Sequence, residues 1–156
     1  MEQINQVQAQ QIWQRVRAAG ASAPRDTLET LIREERELAA VYLRLSRKFT
    51  GREYAVLRRM FEQEQSHCSC LRGIYTLTTG KKPECAASKP AHGSVEQVLR
   101  ECYGREMRAL SAYEARSADP QYGHVFAELK TQDQDHCRII LQLIGSLPGK
   151  GTDSDL

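Results

Sequence analysis

Residues 61–71 read FEQEQSHCSCL, from Phe61 to Leu71, and the pair Glu64 and His67 decides how the rest of the chain is read. Three residues apart in a helical segment, the two side chains project from one face. That face is otherwise apolar: Leu57, Met60, Glu64, His67, Leu71 and Ile74 follow the alternating three-and-four spacing of a buried seam. A carboxylate and an imidazole thus stand where a core takes Leu or Val. Burying them without partners is costly. The pattern therefore requires compensation, and the candidate is a metal ion.

Working outward, a helical pattern from about Asp26 to Phe49 carries Leu28, Leu31, Glu35, Leu38, Tyr42, Leu45 and Phe49 in one heptad-spaced row. Glu35 sits in its middle. Thr50-Gly51 ends this helix, and the helix bearing Glu64 begins at once and runs to about Thr79. So short a connection makes the two antiparallel neighbours. Residues 80–93, GKKPECAASKPAHG, hold two prolines and little periodicity, which reads as a connecting loop. Ser94 with Gln97 then predicts a capping box opening a third helix, with Val95, Leu99, Cys102, Glu106, Ala109 and Tyr113 in line. After a break at Ser117 to Asp119, Asp119-Pro120 predicts an N-cap with proline at the first helical position. The fourth helix aligns Tyr122, Phe126, Leu129, Asp133, His136, Ile140, Leu143 and Leu147.

The halves repeat. Tyr42 follows Glu35 by seven residues, as Tyr113 follows Glu106. His67-Cys68 comes three after Glu64, as His136-Cys137 comes three after Asp133. Offsets of 71 and 69 residues (106 − 35 and 133 − 64) link the copies, which reads as duplication of a helical hairpin. At about 1.5 Å per residue, the ligand-type residues of each hairpin meet at nearly one height. The intervening loop, extended, reaches roughly 45 Å, enough to run back along a helix of roughly 38 Å. The expectation is an all-α four-helix bundle, two antiparallel hairpins joined by a long crossover.

One layer of that core holds Glu35, Glu64, His67, Glu106, Asp133 and His136. With neutral imidazoles it carries four negative charges, which two divalent cations cancel. One carboxylate from each of two helices plus carboxylate-x-x-His from each of the others is the di-iron or di-manganese pattern. On these motifs, over residues 26–147, the chain resembles the ferritin-like superfamily and most closely its rubrerythrin branch, whose E-x6-Y and E-x-x-H motifs are each repeated twice; here E-x6-Y is present twice, E-x-x-H once and D-x-x-H once. The resemblance implies a ferritin-like bundle with two iron ions (manganese or mixed metals being alternatives). It implies Glu35 and Glu106 as terminal ligands, Glu64 and Asp133 bridging, His67 and His136 each capping one metal, and Tyr42 and Tyr113 behind the carboxylates. It further implies catalysis at these four carboxylates, reduction of hydrogen peroxide or dioxygen, and a homodimer or larger homo-oligomer. Asp133 departs from the family's glutamate, and Ala109 stands where a seventh carboxylate is usual. The family's rubredoxin domain is absent, which implies an external electron-donor protein. Ferroxidase chemistry feeding an iron store, a dimanganese catalase and a metal-free helical interaction module remain as other readings.

The remaining sequence excludes more than it adds. Residues 1–20 predict a short amphipathic helix, with Ile4, Val7, Ile12, Trp13 and Val16 on one side and no histidine; residues 21–148 form the bundle and 149–156 a flexible tail. In 156 residues, 27% are charged and the formal net charge is +2. Acids and bases are interspersed, so there is no electrostatic footprint for nucleic acid. No apolar run spans a membrane, and the polar start MEQINQVQAQQ lacks a signal peptide's apolar core. Five cysteines without a C-x-x-C pair argue against a disulfide framework or a zinc ribbon. Cytoplasmic location is the expectation. Cys68, Cys102 and Cys137, each four residues from a ligand-type residue, are read as core filler.

Overall fold

A computed structural model describes residues 28–84 and 91–148. Among these residues the protein is all-helical and without strands: α1 spans Leu28–Ser46, α2 Gly51–Thr79, α3 Val95–Glu114 and α4 Gly123–Ser146. The expected helix at 1–20 and the tail at 149–156 lie outside the described residues.

Local signals set the helix ends. Between α1 and α2, Thr50 is extended and Gly51 takes a φ of 57°, a left-handed conformation that glycine adopts without steric cost. Gly80, at φ 70°, closes α2 by donating its N–H to the Thr76 carbonyl. The capping box at α3 is present as read: the Ser94 hydroxyl accepts from the Gln97 N–H, and the Gln97 amide accepts from the Ser94 N–H. The start of α4 differs from expectation. Asp119 Oδ1 accepts from the backbone N–H groups of Gln121 and Tyr122, so it caps a single turn. Tyr122 then leaves helical geometry (φ −116°, ψ 2°), and the regular helix begins at Gly123. At Gly123 the chain passes so close to Ser117 that an added Cβ would sit 2.4 Å from its carbonyl oxygen. That approach fixes where α4 can enter.

Side-chain pairs give the directions. Glu29 meets Tyr75 and Glu35 meets His67, so α1 and α2 are antiparallel. Tyr42 meets Glu106 and Tyr113 meets Glu35, so α1 and α3 are antiparallel as well. The second and third helices therefore run the same way, with Thr79 and Val95 at opposite ends of the bundle. Arg105 reinforces the α1–α3 wall, its guanidinium 2.8 Å from Glu34 and 2.7 Å from Glu37.

The core is split in two. One apolar cluster contains Leu38, Val41, Leu45, Leu57, Met60, Leu99, Ile140 and Leu143. The other contains Leu31, Ile32, Leu71, Ile74, Ala112, Phe126 and Leu129. On every helix the ligand-type residue lies between members of the two, so a polar slab is sandwiched by apolar ones. Each fully buried aliphatic side chain contributes roughly 1.5–3 kcal/mol, and these slabs carry the fold. No described helix is long and apolar enough to cross a membrane.

Candidate metal centre

The sandwiched slab consists of the six residues singled out from the sequence. Glu35 on α1, Glu64 and His67 on α2, Glu106 on α3, and Asp133 and His136 on α4 are all at most 1% exposed. Their side chains form two groups whose ligand atoms lie within 4.8 Å of one another: Glu35, Glu64, His67 and Asp133, and then Glu64, Glu106, Asp133 and His136. Glu64 and Asp133 belong to both. His67 Nδ1 lies 3.3 Å from each of Glu35, Glu64 and Asp133. His136 Nδ1 lies 2.8 Å from Glu64, 3.3 Å from Glu106 and 3.9 Å from Asp133. The two imidazoles stack at 5.9 Å between centroids.

Many of these atoms point past one another. Both oxygens of Glu64, both of Asp133, Glu106 Oε2 and His136 Nδ1 are buried without a hydrogen-bond partner. This holds even for His136 Nδ1 and Glu64 Oε1: they approach to 2.8 Å, but along a direction that makes no hydrogen bond. Buried polar atoms are normally satisfied. Six orphans converging on one place, all oxygen or imidazole nitrogen, fit a metal ion, and oxygen and nitrogen donors suit iron, manganese and zinc alike.

The tyrosines hold the outer carboxylates, in a crossed pattern. Tyr42 donates to Glu106 Oε1 and Tyr113 to Glu35 Oε1, each at 2.5 Å. Each tyrosine thus serves the glutamate of the other half, because α1 packs antiparallel on α3. Both phenols are fully buried, and burial followed by the adjacent Glu106 or Glu35 pushes their pKa well above the ordinary range.

Sequence reasoning missed two further residues. His67 Nε2 lies 2.9 Å from Gln132 Oε1, and His136 Nε2 lies 3.0 Å from Gln63 Oε1. The signal was in the repeat, since Gln63–Cys68 reads QEQSHC and Gln132–Cys137 reads QDQDHC.

Charge in the slab is shared unevenly. Burial, then repulsion from Glu35 and Glu106, raises the Glu64 carboxyl well above the usual range. Burial likewise raises Asp133, with His67 opposing and Glu35 and Glu106 adding to it. Glu35 is lowered: burial works against its ionisation, but contacts with Glu64, His67 and Tyr113 outweigh it. His67 is pushed up to about 11, because contacts with Asp133 and Glu35 overcome the cost of burying its charge. Without cations the slab is balanced by protons.

The cysteines pack as expected. Cys102 and Cys137 are buried free thiols, and burial followed by Glu106 pushes both up to about 12. Cys70 is exposed and Cys68 half-buried, its sulfur near the Ile32 carbonyl. Ala109 is buried in the apolar cluster beside Tyr113. Compared with known proteins, the chain matches no family model, no curated protein and no solved structure.

Proposed function

We propose that this chain is a ferritin-like di-metal carboxylate oxidoreductase of rubrerythrin type, using two iron ions to reduce hydrogen peroxide or dioxygen. The observation that carries the reading is the pair of ligand groups sharing Glu64 and Asp133 inside a dry helical bundle. Helix directions support it as well, since parallel second and third helices joined by a long link are the ferritin-like arrangement. Glu35 and His67 would hold one ion and Glu106 and His136 the other, with Glu64 and Asp133 between them. Such a pair would supply the two electrons that reductive cleavage of a peroxide needs, or that take dioxygen to peroxide.

The chain's own groups prepare the place. Tyr42 and Tyr113 each hold one oxygen of a terminal glutamate; at Glu35 the other oxygen faces His67, and at Glu106 the other oxygen is buried without a partner. The apolar slabs exclude water, which strengthens every charge interaction between them. Glu64 and Asp133 hold protons that entering cations displace. Reductant arrives from a separate electron-donor protein, and the free Cys70, Cys102 and Cys137 suit a reducing cytoplasm.

Elemental analysis of the purified protein tests the centre: two equivalents of iron are expected, and protein that is metal-free and refuses both iron and manganese removes it. Rapid mixing of the reduced, iron-loaded protein tests the reaction. Peroxide should oxidise it far faster than air does; equal rates would count against peroxide as substrate.

A further inference from the structure

We infer that Gln63 and Gln132 are positioning residues that lock the two imidazoles with Nδ1 facing the metals, an inference that rests on the metal-centre reading above. An imidazole can bind a metal through either nitrogen, and the hydrogen bond made by the other nitrogen decides which. In both rings Nδ1 faces carboxylates while Nε2 faces an amide oxygen on the opposite helix. An amide oxygen only accepts, so each Nε2 carries a proton, and Nδ1, which at His67 shares a proton with Glu35 until a cation displaces it, is the nitrogen left to ligate. The pattern is reciprocal: Gln63 immediately precedes Glu64 and holds the ring on α4, and Gln132 immediately precedes Asp133 and holds the ring on α2. Each ring is thereby tied to the residue next to a shared carboxylate, and ring and carboxylate keep one register.

The choice of amide follows from the charge in the slab. A carboxylate in the same place would orient the ring equally well, but it would add negative charge beside four buried acids. Glutamine supplies the acceptor without the charge. Gln65 and Gln134 repeat the residue type two positions on, yet both are exposed, so they serve as internal controls.

Protein labelled with 15N-histidine and loaded with zinc, a diamagnetic substitute, reads the nitrogens directly. In the wild type, metal on Nδ1 and a slowly exchanging proton on Nε2 are expected for His67 and His136. Gln63→Leu and Gln132→Leu should each weaken zinc binding about 10- to 100-fold and lose the protected proton. Gln63→Glu and Gln132→Glu, which keep an acceptor, should retain the Nδ1 signature and lower the reduction potential of the iron-loaded protein. Gln65→Leu and Gln134→Leu should change nothing. Metal on Nε2 in the wild type overturns the inference whatever the variants do. So does wild-type affinity in the Leu variants, or an equal loss in the controls. Wild-type protein that binds no metal at all instead removes the metal centre, a result distinguishable from two ions held regardless of the glutamines.

Discussion

The two halves of the site are near copies, and they differ where it matters. Glu35, Glu64 and His67 come from the first hairpin and Glu106, Asp133 and His136 from the second. Each half contributes a tyrosine to the other's glutamate and a glutamine to the other's histidine. The exception is the shared acid. Glu64 reaches both imidazoles, at 3.3 and 2.8 Å, while Asp133, one methylene shorter, comes to 3.3 Å of His67 but stays 3.9 Å from His136. The spacing of the helices repeats between the halves, and side-chain length breaks the symmetry within that frame. Glu64 is the pivot of both halves; Asp133 leans towards one.

The sharpest way to break the comparison is to remove the pivot. Glu64→Ala should drop the metal content from two ions to none, because both groups use Glu64. Glu35→Ala and Glu106→Ala should each retain one ion, since each belongs to one group. Elemental analysis after dialysis separates these outcomes, and a Glu64→Ala protein that still holds two ions would refute its pivotal role. Glu64→Leu should also raise the stability of the metal-free protein by about 1–3 kcal/mol, since an apolar side chain replaces a buried carboxyl whose two oxygens lack hydrogen-bond partners. The acid is kept at a cost to the fold, as expected of a residue that serves a ligand.

A second effect turns the halves into a pH experiment. Glu64 and Asp133 have folded pKa values well above their unfolded ones, and His67 is raised to about 11. A raised folded pKa contributes stability that is complete below the unfolded pKa and lost as pH climbs through the folded one. The metal-free protein should therefore lose stability as pH rises from about 5 to 9. Metal binding displaces the same protons, so affinity should strengthen over that range. Calorimetric Tm values with and without zinc should diverge as pH rises; curves that converge would contradict the proton balance assigned to the slab.

Smaller still are the tyrosine hydroxyls. Tyr42→Phe and Tyr113→Phe each delete a 2.5 Å hydrogen bond to a buried glutamate. Bonds to charged groups are worth about 1.5–3 kcal/mol, and denaturant unfolding of the metal-free variants should return two similar losses. A marked inequality would locate a second asymmetry, at the terminal glutamates instead of the shared acids.

How far the halves were legible depended on whether a residue broke a pattern. Glu35, Glu64, Glu106, Asp133 and the two histidines interrupt apolar seams, so spacing alone exposed them. Ser94 and Gln97 announced a helix start because capping is local. Gln63 and Gln132 broke nothing: half-buried glutamines beside a seam look like solvated surface, and only alignment of the two repeats sets them apart. Which glutamate each tyrosine meets was also hidden, since that depends on α1 packing against α3 and not on the seven-residue spacing. Asp119-Pro120 misplaced the start of α4 because an aspartate cap closes one turn as readily as a long helix. What decided there was the contact of Gly123 with the Ser117 carbonyl, which lies outside any helical pattern.

The smallest expected effect bears most directly on the broken symmetry. Asp133→Glu restores the repeat and lets the side chain approach His136 as Glu64 does. Both Asp133 oxygens lack partners, so the longer carboxylate forfeits no hydrogen bond. Binding of the ion on the Glu106–His136 side should tighten a few-fold, with the Glu35–His67 side within about twofold of wild type; stepwise titration calorimetry resolves the two. Against this stands the extra methylene in a closed core, where overpacking typically costs 1–3 kcal/mol. Metal-free unfolding measures that cost separately. Tighter binding with a modest loss of stability would mean that packing alone keeps aspartate here. Weaker binding at unchanged stability would mean that the looser contact with His136 is itself what the second half of the site requires.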